Sequence, residues 1–257
     1  MKKQIIKTIK YLKRLEKTRK DKECFKQDKA NWKAQSLDCL DFPFEECMIL
    51  HEKKDNAGTI KGAYFHQDLL VAQLIFENNP IKHVDIGSRT DGFVAHVASF
   101  REVELFDVRP LKCDVLNIKF KQADLTLLNS DLIDYTDSIS SLHAIEHFGL
   151  GRYGDPIDYN GHLKAIDNIS QILQNGGTFY FSVPIGPQRV EFNAHRVFDL
   201  TYLWNKLNDK FRIKTFHYIN DNGDLFTNLQ FDVENKNIKE NFGCNFGCGI
   251  FELIKKS

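Results

Sequence analysis

An open, largely parallel α/β sheet with helices on both faces is the fold this sequence predicts. Apolar runs of strand length alternate with segments of helical periodicity from about residue 63 onward. The connections between them are rich in Gly and Asp, the residues that make tight turns. The chain has 257 residues, 42% hydrophobic and 27% charged, which suits one large folded core with an appendage and excludes global disorder.

Ile5, Ile9, Leu12 and Leu15 recur at helical spacing among lysines, so residues 3–20 predict a basic amphipathic helix. Its narrow stripe is expected to pack on the body or on a second subunit, which makes it the candidate contact of a homodimer. A membrane-surface role fits less well, because the stripe lacks the Trp and Phe of interfacial helices. Residues 1–22 carry ten Lys/Arg against Glu16 and Asp21, a net +8 that leaves −8 on the rest of a neutral chain. Bulk attraction to nucleic acid is therefore not expected. No apolar stretch approaches the ~20 residues of a membrane span, and no continuous apolar core follows the basic start as in a secretory signal. Six scattered cysteines without a CxxC pair predict neither a disulfide nor a zinc framework. A cytoplasmic protein is the expectation.

Phe42, Pro43 and Phe44 form a local apolar knot, and residues 1–50 read as a basic helical extension to a domain spanning 51–257. Within that domain residues 66–78 predict a helix ended by Asn79-Pro80. Strands follow at Val84–Ile86, Val103–Phe106, Ile118–Ala123, Ser138–Leu142 and Thr178–Val183. Helices are expected at about 91–99, at 163–173 (stopped by Asn175-Gly176-Gly177) and at 200–207. Phe211–Tyr218 and Ile250–Ile254 supply two late strands.

Ligands of such sheets bind at the carboxyl ends of the strands, near the reversal of strand order. His83-Val84-Asp85-Ile86-Gly87-Ser88-Arg89-Thr90-Asp91-Gly92 is an apolar strand, a small-residue turn and a following helix. It lacks the three glycines a dinucleotide pyrophosphate needs. Gly87 still lets a ligand cross the strand tip. Asp107 closes the second strand, where a carboxylate can accept both hydroxyls of a ribose. Asp124 follows the third strand, where it can accept from an adenine amino group. Singly each is as well explained as a cap or turn residue; together they sit at successive strand tips.

The order VDIGS, LFDVR, QADL, a fourth strand running into His143-Ala144-Ile145-Glu146-His147, and GGTFYFSVP resembles class I S-adenosylmethionine-dependent methyltransferases. More narrowly, residues 64–199 look like a bacterial methyltransferase-like family catalogued as a domain of unknown function. The residues that carry this are Tyr64-Phe65-His66-Gln67-Asp68, the stretch from His143 to Pro156, Phe192-Asn193-Ala194-His195-Arg196 and the late Cys248-Gly249-Ile250-Phe251-Glu252. The resemblance implies a Rossmann-like, seven-stranded, mostly parallel sheet whose last strand is antiparallel, with S-adenosyl-L-methionine as cofactor. It also implies a small-molecule or carbohydrate-linked acceptor, in surface or capsule polysaccharide biosynthesis. Carried over by position, Asp85, Gly87, Ser88 and Arg89 line the methionine and ribose side. Asp107 with Val108 holds the ribose, and Asp124 with Leu125 the adenine. His143 lies below the sulfonium, and Gln67 and Asp68 reach the amino-acid end. Arg89 and Thr90 replace the small residues of the most glycine-rich versions of the first motif.

Methyl transfer to a neutral hydroxyl or amine also removes a proton, for which a histidine is a suitable base. His143, Glu146, His147 and His195 are the candidates, with Arg196 beside them. If the acceptor oxygen is already anionic no base is needed, and Arg152, Arg189, Arg196 and the histidines orient negative charge. The sequence does not separate these cases. The glycine-rich segment 148–156 is long enough for a substrate lid or a self-packed Ω-loop, and places Arg152 and Tyr153 as acceptor contacts with Asn193, His195 and Arg196. Two rival readings stand. His143-x-x-Glu146-His147 matches the H-x-x-E-H pattern of inverted zinc peptidases, which requires both histidines on one helix. A non-catalytic binding protein with a degenerate donor site is the other.

Overall fold

The computed structural model describes residues 2–35, 44–112, 114–127 and 129–257. Phe42 and Pro43 of the apolar knot, and Cys39 and Cys113, lie outside the described residues. The chain divides into two compact units, residues 1–59 and 60–257.

The first unit is built on helix α1, Lys2–Gln35. It runs well past the predicted end at residue 20. The apolar stripe stops there, but residues 21–35 contain no Gly or Pro and are rich in strong helix formers. Ile6, Ile9, Leu12 and Leu15 are all exposed. Trp32 packs on Phe44 at 5.5 Å between ring centres, and Lys29 pairs with Glu46 at 2.8 Å.

The second unit begins with α2 (Ala63–Asn78), ended by Asn79 in the left-handed conformation (φ 42°) ahead of Pro80. Strand β1 is His83–Ile86, followed by a one-turn segment over Thr90–Val94 and the short α3 (Ala95–Ala98). Then come β2 (Val103–Asp107), β3 (Ile118–Gln122), β4 (Thr136–Leu142), α4 (Gly161–Ile172) and β5 (Leu173–Ile185). A small hairpin follows, β6 (Arg189–Glu191) and β7 (His195–Val197), and then α5 (Leu200–Leu207). The chain closes with β8 (Phe211–Ile219), β9 (Leu225–Leu229), α6 (Lys236–Lys239) and β10 (Gly247–Lys255).

The main sheet has the order β3-β2-β1-β4-β5-β10-β8-β9. Strands β1 to β5 pair in parallel, and β10 is antiparallel to both β5 and β8. The last strand is thus reversed as expected, but the sheet has eight strands rather than seven. The extra one is β9, which folds back on β8 through a turn at Asn222-Gly223, with Gly223 at φ 80°. Strand order reverses between β1 and β4, which opens the crevice in which the site lies.

Period-two alternation on β5 shows how the core is divided. Phe179, Phe181 and Val183 face one layer with Ile169, Phe216 and Phe251, while Tyr180 faces the other with Val71, Ile75, Phe93 and Leu105. Each fully buried aromatic or branched side chain contributes about 1.5–3 kcal/mol of transfer free energy. Both faces of the central strands are covered, so they read as near-continuous apolar runs. β1 and β4 depart from this rule: His83 and Asp85 on the first and Thr136, Ser138, Ser140 and Ser141 on the second are all buried.

Candidate functional site

At the carboxyl ends of β1, β2 and β4 lies a cavity of about 280 Å³. Its wall includes Gly87, Arg89, Asp107, Val108, Asp124, Leu125, His143, Glu146, His147, Arg152, Tyr153 and His195. Twelve of the sequence-predicted site residues, drawn from six separate stretches of chain, therefore meet around one space. Gly87 is needed there: its φ is +69°, and an added Cβ would lie 3.1 Å from the Ala144 side chain.

Six predicted residues do not line the cavity, and five of them have structural partners instead. Asp85 is fully buried, accepting from Ser140 Oγ at 2.6 Å, Ser88 Oγ at 2.7 Å and Ser88 N at 3.0 Å. Burial pushes its carboxyl up to about 6 in spite of these bonds. Ser88 in turn accepts from the Leu142 amide at 3.0 Å, so the pair ties the turn after β1 to β4. Gln67 accepts from Ser182 Oγ at 2.7 Å and donates to Asp68 at 3.0 Å, anchoring α2 to β5. Asp68 sits behind Gly92, its Oδ2 only 2.7 Å from where a Cβ there would stand, and burial raises its pKa. Arg196 is a strut: its guanidinium donates to the carbonyls of Glu146 (3.3 Å), Phe148 (2.7 Å) and Tyr159 (3.2 Å). Asn193 is exposed at the turn between β6 and β7.

The acceptor end of the cavity is organised by Glu146, which is only 1% exposed. Its Oε1 bonds His143 Nδ1 at 3.0 Å and lies 3.6 Å from His147 Nε2. His147 donates from Nδ1 to the Ala194 carbonyl at 2.6 Å, the one tautomer a carbonyl acceptor permits. Burial lowers the His147 pKa, with Glu146 opposing. His143 goes the other way. Burial works against its charge, but the neighbouring Cys248 sulfur and the Glu146 carboxylate outweigh it and hold the imidazole well above its ordinary value. His143 also has φ +49°, a strained conformation for a non-glycine residue that persists where the surroundings enforce it. Among the described residues six buried side-chain polar atoms have no hydrogen-bond partner, and three of them, His143 Nε2, Glu146 Oε2 and His195 Nε2, belong to residues of this wall. Glu191 stands 3.4 Å from His195 Nε2, near enough for an ion pair but out of line for a bond. Such orphaned groups call for a ligand or water.

The zinc-peptidase pattern fails on geometry. Ile145–His147 is a single 3-10 turn, so His143 and His147 do not share a helix face. No group of three or more His, Cys, Asp or Glu able to hold a metal occurs among the described residues.

Sequence reasoning missed several wall residues: Tyr64, Arg109, Thr126, Asp155 and Phe246. Arg109 closes the quoted LFDVR motif but carried no role there; it grips Asp107 through Nη2 at 2.7 Å and Nε at 3.0 Å. Asp155 accepts from the amides of Gly149 (2.8 Å), Gly151 (3.3 Å) and Tyr153 (3.2 Å), which folds the glycine-rich segment around one carboxylate. Phe246 comes from just before β10 and had no local signal. Arg89 pairs with Asp91 at 3.0 Å and lies over the Tyr64 ring.

A protein-family profile described as "Caenorhabditis protein of unknown function, DUF268" matches residues 115–240. That description mentions neither bacteria nor polysaccharides. No curated protein matches the chain. Solved structures match its shape. The [4+2]-cyclase SpnF is 12% identical, with a TM-score of 0.53, over 76% of this chain and 84% of its own. The YcgJ protein of Bacillus subtilis is 14% identical, with a TM-score of 0.51, over 75% of this chain and 99% of its own. A S-adenosylmethionine-dependent methyltransferase of Clostridium acetobutylicum is 14% identical at a TM-score of 0.49, over 76% and 93%. The fold is thus a Rossmann-like α/β architecture shared with SpnF and YcgJ, extended by β9 and preceded by α1.

Proposed function

We propose that this protein is an S-adenosylmethionine-dependent methyltransferase acting on an oxygen of a small polar acceptor, a carbohydrate or phosphate-type group. The observation that carries the reading is the convergence of Gly87, Asp107 and Asp124, from successive strand ends, on one cavity whose far end holds His143 and Glu146. These residues fit the donor: Gly87 leaves open a place its own Cβ would fill, and the two carboxylates face the space that a ribose and an adenine would occupy. When bound, the donor supplies an electrophilic methyl group on a sulfonium.

The chain's own residues do the rest. Asp107 accepts hydroxyls, Asp124 accepts an amino hydrogen, and Leu125 and Val108 supply apolar walls for a flat ring. His143 is oriented by Glu146 through Nδ1, which leaves Nε2 to take the proton of an acceptor hydroxyl. Tyr153 and Arg152, on the Asp155-centred segment, stand at the mouth and help to exclude water. Holding the acceptor in line with the transferred carbon supplies much of the acceleration. A surface-polysaccharide precursor as acceptor rests on motif resemblance alone. Titration of the full chain with S-adenosylhomocysteine tests the reading. Stoichiometric binding is expected, and no heat at millimolar ligand sinks it; binding without turnover on any acceptor selects the non-catalytic alternative.

A further inference from the structure

We propose that Arg109 and Arg152 form a phosphate subsite that is completed only when the donor binds, so that the acceptor is a phosphorylated molecule. The inference rests on the donor reading of the cavity and adds the acceptor's chemical class and the order of binding.

A carboxylate offers about four lone-pair positions. On Asp107, Oδ1 already accepts the Arg109 amide at 2.8 Å and Nε at 3.0 Å, and Oδ2 accepts Nη2 at 2.7 Å. One position is left, and a ribose diol needs two. Asp107 therefore takes the diol only by loosening Arg109. The freed guanidinium does not need to travel. It already lies 4.4 Å from the Tyr153 ring centre, and Arg152 lies 5.1 Å from the same ring.

Arg152 is the second half of the subsite. Among the described residues it has no carboxylate partner; its Nη1 donates to the Ala194 carbonyl at 3.0 Å, and its other nitrogens are uncommitted. Arg89, the remaining guanidinium of the wall, is already held by Asp91. With Arg109 released, two planar donor forks bracket one aromatic ring beside His147 and His195, and among the described residues neither is then bonded to a carboxylate. Paired guanidinium forks match the oxygens of a phosphate dianion, and they repel a cationic acceptor.

The test is calorimetry of the full chain with inorganic phosphate, with and without saturating S-adenosylhomocysteine. Phosphate affinity is expected to rise roughly 5- to 20-fold when the nucleoside is bound, and by linkage phosphate tightens the nucleoside by the same factor. Arg109→Gln and Arg152→Gln, both at partly or fully exposed positions, should each abolish the enhancement while S-adenosylhomocysteine still binds. Asp107→Ala frees Arg109 without any nucleoside and should raise phosphate affinity on its own. Nucleoside binding with unchanged phosphate affinity overturns the proposal and leaves the donor reading standing. Failure of the wild-type chain to bind the nucleoside overturns both. An equal enhancement with acetate in place of phosphate overturns the assignment to phosphate.

Discussion

Replacing Asp107 with Ala removes the carboxylate that closes β2 on the cavity wall. If the cavity holds a nucleoside, two charge-assisted hydrogen bonds to ribose hydroxyls are lost, each worth about 1.5–3 kcal/mol. Part of this is offset, because in the wild type the diol displaces Arg109, whose side chain is 48% exposed, so its pairing is worth about 1 kcal/mol or less. The net loss is about 2–5 kcal/mol, or roughly 30- to 4,000-fold in affinity for S-adenosylhomocysteine. Folding should hardly change, because Asp107 lies at the strand end and bonds only Arg109; a melting shift within about 4 °C is expected for a domain this size. Calorimetry measures the first quantity and differential scanning the second. An affinity within threefold of wild type, in a chain that melts normally, would refute the assignment of this carboxylate to the ribose.

Glu146→Gln should leave nucleoside affinity within about threefold and lower the methyl-transfer rate by roughly 10²–10³-fold, since the His143 imidazole loses its orienting partner; an unchanged rate removes the dyad from the mechanism. His143 is protonated below a pKa held well above 6.5, so the rate should fall as pH drops through that value, and Glu146→Gln should move the limb to lower pH. Asp85 predicts a stability effect. Its folded pKa is raised to about 6 from 3.8, so its contribution is present at low pH and lost as pH rises through about 6. The wild-type stability minus that of Asp85→Asn should decline by about 2 kcal/mol between pH 4 and 7 in urea titrations, and a flat difference would contradict the burial argument. Gly87→Val, at φ +69° and against Ala144, should cost several kcal/mol of stability or abolish nucleoside binding; full retention of both denies the turn its role.

The fold was legible because its signals are local and repeat. Strands β1, β2 and β5 are short apolar runs and β3 alternates, and Asn79-Pro80 ends α2 where expected. β9 was missed although Asn222-Gly223 between two apolar runs is a strong hairpin cue; Leu225–Leu229 is short, and Asn228 at φ 56° breaks its pattern. α1 was cut short because periodicity was the only cue followed, while propensity alone carried residues 21–35. Of the candidate residues, those whose backbone ends a parallel strand line the cavity, since topology fixes where they stand. Asp85, Gln67 and Arg196 carry the right chemistry but spend it on the protein, and a sequence does not say whether a polar side chain meets a ligand or a backbone carbonyl. Phe246 reaches the wall by tertiary packing alone, and Asp155 by the local fold of the glycine-rich segment around its carboxylate.

The buried Asp85 shows how the turn after β1 is held against β4. His83 bonds Ser138 and Ser140, Ser140 donates to Asp85, Asp85 holds Ser88, and Ser88 takes the Leu142 amide. The chain crosses from β1 to β4 at the point where strand order reverses, through a layer in which apolar residues would pack at least as well. Burial depresses the His83 imidazole to about 3 and raises the Asp85 carboxyl, so both charged forms are disfavoured and the network costs stability. What it supplies is directional. Hydrophobic contact tolerates sliding, whereas three bonds onto one carboxylate fix the turn of Gly87 and Ser88 relative to Leu142, and so relative to His143, the next residue in the chain. The distance between the turn at Gly87 and the His143 side chain is thus set by a buried polar chain that runs through Ser88 to the Leu142 amide.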